Sequence, residues 1–111
     1  MAYVSGDDRL PQITEQIEKQ GQLPPHLDAE NPDVKLDVNA RDLLKPNHKV
    51  VSANAYLGAR GIVKALEAGA DIIITGRVAD ASPVIGAAWW WHGWEATNYD
   101  ELGGALIAGH L

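Results

Sequence analysis

The chain has 111 residues, 46% of them apolar and 22% charged, with a net charge of −6. That is room for one ordinary globular domain and is too apolar for a disordered chain. The acidic balance, with no basic stripe, argues against nucleic acid or an anionic membrane surface as a partner. The absence of cysteine removes disulfides, thiolate nucleophiles and zinc–thiolate sites together, and fits a reducing compartment.

Residues 1–5 read as a short strand that ends in Ser5-Gly6-Asp7-Asp8. Those two acids stand where a signal peptide needs a basic start. The longest apolar stretch, Val84 to Trp91, falls far short of the roughly 20 residues that span a bilayer. The expected location is therefore cytoplasmic or otherwise intracellular, with no membrane partner. Pro11 to Gln20 predicts a helix, with Leu10, Ile13 and Ile17 as its stripe and Gly21 as its stop. The prolines and asparagine in 22–33 mark a loop, Val34 to Val38 alternates like a short edge strand, and Asn39 to Leu44 suits one helical turn.

His48 to Ala53 is expected to be a strand, and Ala55 to Ala68 a helix with Ala59, Ile62, Val63 and Leu66 on one face. Gly69 suits the end of that helix. Asp71 to Thr75 is rich in β-branched residues, as in a strand buried on both sides. Strand, helix and strand in this order imply a parallel pair joined by a crossover. Ser82 is expected to cap a helix that has Pro83 at its start and runs to about His92. Thr97 is expected to cap a last helix from about Asn98 to His110, with Asp100 and Glu101 near its positive end. The predicted fold class is α/β, a mainly parallel sheet flanked by helices.

Three apolar runs thus end in polar switches: Ser5-Gly6-Asp7-Asp8, Ser52-Ala53-Asn54 and Thr75-Gly76-Arg77. In open parallel sheets, ligands bind outside the carboxyl ends of the strands, so a crevice is expected there. In Thr75-Gly76-Arg77-Val78-Ala79-Asp80, Gly76 lets the backbone approach a ligand. Arg77 offers a fork for a carboxylate or phosphate, near the start of the helix that begins at Ser82. The structural alternative is an Arg77–Asp80 pair that braces the loop. Asp7 and Asp8 are candidates for general-base or cation-holding work, against a plain role in a helix-capping loop. Asn54 and Tyr56 can orient a substrate, although Asn54 also suits a helix cap. Gly58 and Gly61 at a helix start point either to close packing on the sheet or to close approach of a ligand.

Neither GxGxxG nor a Walker-type phosphate loop is present, so no standard nucleotide site is indicated. The four histidines show no metal-ligand spacing, and no metal site is predicted. Trp89, Trp90, Trp91 and Trp94 surround His92 and Gly93. Consecutive tryptophans on a helix cannot all face one core, so some must meet another layer or a partner.

The blocks Val51-Ser52-Ala53-Asn54-Ala55-Tyr56-Leu57-Gly58-Ala59 and Gly69-Ala70-Asp71-Ile72-Ile73-Ile74-Thr75-Gly76-Arg77-Val78-Ala79-Asp80 resemble the N-terminal region of the acyclic terpene utilisation protein family. The start, Tyr3 to Asp8, and the end, Gly104 to Leu111, look like the same family. The resemblance is best over residues 48–111. Family members run to several hundred residues, which implies that 1–111 is part of one larger N-terminal domain, an incomplete fragment of it. They occur with genes for degrading acyclic terpenes and branched acyl-CoA compounds, some beside biotin-dependent carboxylase components. The implied function is catabolism of branched acyl or acyl-CoA compounds, with the cofactor unknown.

On this reading Asp7, Asp8 and Asp80 are the catalytic candidates. Asn54, Tyr56, Thr75, Arg77 and Ser82 are the substrate-binding candidates, for a small anionic substrate. Two competing readings stand beside it. One is a non-enzymatic accessory module whose tryptophan-rich face (Trp89, Trp90, Trp91, Trp94) docks a carboxylase subunit or the rest of the domain. The other is an inactive truncated product.

Overall fold

The computed structural model describes residues 1–21, 33 and 49–111. Ala2-Tyr3-Val4 forms strand β1 (Ala2–Val4), and Leu10–Gln20 forms helix α1. Helix α2 (Arg60–Glu67), strand β2 (Ile73–Thr75), helix α3 (Ser82–His92) and helix α4 (Tyr99–Ala108) follow in chain order. The chain divides into two compact units, Met1–Asp8 with Asn54–Leu111, and Arg9–Ala53. The expected loop at 22–33 (apart from Asp33), the edge strand at 34–38, the turn at 39–44 and the start of a strand at His48 lie outside the described residues.

In the second unit α1 matches its sequence signals. Pro11 lies in the first turn, Gly21 closes the helix at φ 66°, and Leu10, Ile13 and Ile17 are half-buried. Positive φ costs glycine almost nothing and other residues more.

In the first unit β1 and β2 pair in parallel, with Ala2 opposite Ile73, Tyr3 opposite Ile74 and Val4 opposite Thr75. The period-2 pleat separates two faces. Val4, Ile73 and Thr75 are half-buried, while Tyr3 is 67% exposed and Ile74 51%. The expectation that the 71–75 strand is buried on both sides is therefore corrected: one face is covered and the other is open. Helix α2 packs against β1, where Gly61 lies directly over Val4.

The expected strand at 48–53 is also corrected, since Lys49–Ala53 forms no strand. The place beside β2 is taken by β1, and two valines make too short a run to compete with it; Val51 is 81% exposed. The same stretch still reaches the sheet a few residues later. Asn54 pairs antiparallel with Asp8, and Leu57 pairs with Val78 in the parallel sense. The Leu57 amide donates to the Arg77 carbonyl at 3.2 Å, and the Ala79 amide to the Leu57 carbonyl at 2.8 Å.

Helix α2 begins at Arg60 rather than Ala55, and of the face read from the sequence Ala59, Ile62 and Val63 are buried, joined by Ala65, while Leu66 is half-buried. The helix ends at Glu67, with Ala68 at the cap position and Gly69 just beyond it at φ 76°. Helix α3 packs against α2 and α4. Small residues set these spacings. A side chain at Gly86 would run into Ile62, and one at Gly109 into Ala81.

Two expected caps are replaced. Ala81 is the residue before α3, while Ser82 is its first residue, and neither helix start carries a side-chain cap. Asn98 rather than Thr97 precedes α4, and its side-chain Oδ1 accepts from the Glu95 backbone amide at 2.7 Å. The tryptophans do point around α3. Trp89 is half-buried, with its indole N–H donating to the Trp94 carbonyl at 2.6 Å, whereas Trp91 is 75% exposed. Among the described residues no helix is long and apolar enough to cross a membrane.

Candidate functional site

Past Val4 and Thr75 the two strands part. The Gly76 amide still donates to the Val4 carbonyl at 3.0 Å. Gly6 then turns the chain at φ 111°, a conformation that glycine adopts without strain, and Asp7 follows with 8% of its surface exposed. Its Oδ2 accepts from the backbone amide of Arg77 at 2.8 Å and from Asn54 Nδ2 at 3.0 Å. The Ala55 amide donates to the Asp7 carbonyl at 2.8 Å. One aspartate thus ties the ends of all three polar switches together.

Its electrostatics follow from those donors. The Arg77 amide, then the amide of Asp7 itself, the Asn54 side chain and the Asp8 amide, hold the Asp7 carboxyl below the ordinary carboxylate range, while burial works against them. Such a carboxylate is ionised at neutral pH and is a weak base. Gly76 is its steric counterpart. A Cβ at position 76 would overlap the Asp7 carboxylate, so a side chain there and the aspartate cannot share the space.

These residues line an open crevice of about 400 Å³, formed by Asp7, Asn54, Gly76, Arg77 and Val78. The Arg77 guanidinium is exposed, and its carbon lies 5.5 Å from the centre of the Tyr56 ring, within cation–π range. The alternative of an Arg77–Asp80 brace is not seen: among the described residues the ion pair present is Lys19–Glu15. The alternative of Asn54 as a helix cap is not seen either, since Ala59 precedes α2 and Asn54 spends its amide on Asp7.

The predicted residues therefore separate. Asp7, Asn54, Tyr56 and Arg77 come together. Asp8 is exposed and pairs through its backbone with Asn54. Thr75 is half-buried at the end of β2, and Asp80 is exposed ahead of α3. Ser82 is 1% exposed, donates from its hydroxyl to the Leu57 carbonyl at 3.5 Å and is not among the residues lining the crevice. Among the described residues no group of three or more His, Asp or Glu is placed to hold a metal. Sequence reasoning missed the fit of Gly76 over Asp7. The signal for it was the pairing of a glycine after one strand with an acid after another.

A parallel strand pair backed by helices, with a polar crevice at the carboxyl ends of the strands, makes this a mixed α/β protein. The family model of the acyclic terpene utilisation family protein AtuA matches residues 1–111, and the chain belongs to that family. No curated protein and no solved structure matches the chain.

Proposed function

We propose that the strand-end crevice holds the anionic group of a branched acyl or acyl-CoA compound in a catabolic pathway. The observation that carries this is the Arg77 guanidinium, which stands at the crevice, stacked on Tyr56, with no carboxylate partner among the described residues. A guanidinium left free beside a pocket offers paired donors to a carboxylate or phosphate. Tyr56 holds the fork in place, and Asn54 and Val78 line the crevice beside it. Asp7 keeps the three loops in register, and its low basicity fits a positioning role better than proton transfer. Asp8 and Asp80 remain the general-base candidates, since both are exposed. Membership of the family supports a part in acyclic terpene utilisation, and the cysteine-free composition fits a reducing compartment.

The test is calorimetry of the full chain with a panel of short acyl-CoA thioesters. Arg77→Lys keeps the charge and loses the fork, and should weaken binding by about 1.5–3 kcal/mol; Arg77→Ala should weaken it further. Binding by both variants at the parent affinity would show that Arg77 is structural.

A second reading, an accessory module that docks a carboxylase subunit, draws on the exposure of Trp91 and Trp90. Co-purification of such a subunit, lost in Trp91→Ser, would favour it.

A further inference from the structure

A second opening is a groove of about 570 Å³ lined by residues from the start of α2, from α3 and from α4. That volume is within the range of small-molecule pockets, about 300–1,000 Å³. Its walls are apolar, with Ile85, Trp89, Leu102 and Leu106 facing Ala59 and Ala79.

Two observations say what would fill it. Gly58 and Gly103 line the groove, and a Cβ at either would meet nothing within 4 Å. These glycines are not explained by packing, as Gly61 and Gly86 are. Arg60 is the charged residue of the lining, is exposed and has no ion pair among the described residues. Ser82 also lines the groove, and its buried hydroxyl donates to the Leu57 carbonyl at 3.5 Å.

We propose that this groove is a binding site for a medium-chain aliphatic carboxylate. The chain lies against Ile85, Leu102 and Leu106, and the carboxylate pairs with Arg60. The charge of Arg60 selects an anion. The apolar walls select an aliphatic tail, and the missing side chains at 58 and 103 leave it room. The site is independent of Arg77 and of the function proposed for the crevice.

Calorimetric titration of the full chain with butyrate, hexanoate and hexan-1-ol tests it. Hexanoate should bind more tightly than butyrate. Gly103→Leu fills the groove and should weaken hexanoate binding at least tenfold, whereas Gly104→Leu, one residue on and outside the lining, should not. Arg60→Gln should weaken hexanoate several-fold and leave hexan-1-ol unchanged, a readout that stands even where Gly103→Leu disturbs folding. Equal affinity for butyrate and hexanoate overturns the proposal. So does parent affinity in Arg60→Gln, or hexanoate binding that is lost in Arg77→Ala instead.

Discussion

At Asp7 a carboxylate is held by donors from the ends of three chain segments, and its ionised state is part of what keeps those ends together. A carboxyl whose folded pKa is depressed contributes stability that is present above its unfolded pKa and is lost as the pH falls through that value toward the folded one. The causes here are the Arg77 amide first and the Asn54 amide among the rest. Thermal unfolding followed against pH should show the parent losing stability below about pH 4. Asp7→Asn should be less stable than the parent at pH 7 and should change little over the same acid range. Parallel pH profiles would remove Asp7 from this role. The neighbouring glycine gives an independent check. Gly76→Ala puts a methyl group where the Asp7 carboxylate lies, so it should cost about 1–3 kcal/mol in chemical denaturation, as overpacking does.

Between elements, glycines that look alike in the sequence do different work. Gly61 lies on Val4, with a Cβ there only 2.6 Å from a Val4 methyl, so Gly61→Ala should destabilise by about 1–3 kcal/mol. Val4→Ala should relieve part of that cost in a double-mutant cycle. Gly104 lies in α4 with open space around it, so Gly104→Ala should stabilise by about 0.5–1 kcal/mol through helix propensity. Denaturation of both variants gives opposite signs if the packing is as described. The sequence left close packing or close approach of a ligand open for Gly58 and Gly61, and only Gly61 packs closely. The buried face of α2 was legible because Ala59, Ile62 and Val63 repeat at helical spacing, and Gly21 and Gly69 were legible as stops. The strand expected at 48–53 was not, because strand propensity is decided by which neighbour is available. The Ser82 and Thr97 caps failed for a related reason: a residue that suits a cap takes the position only if the chain enters the helix there.

Over the whole molecule, the crevice was legible and its internal wiring was not. The rule that ligands bind at the carboxyl ends of parallel strands placed Asp7, Asn54 and Arg77 together, and the structure does bring them together, although the third segment arrives through Leu57 rather than Val51. What a linear sequence could not show is that Asp7 Oδ2 would accept from the Arg77 backbone amide, with no ion pair to the guanidinium among the described residues. That separation of roles, aspartate inward and guanidinium outward, is the centre of this account. It is read most directly by nuclear magnetic resonance of the side-chain Nε–H of Arg77 during titration of the full chain with a short-chain acyl-CoA. The account predicts a progressive shift of that resonance that saturates with ligand and is absent for the free acyl alcohol. Saturable binding that moves other resonances and leaves the Arg77 Nε–H where it was would contradict it.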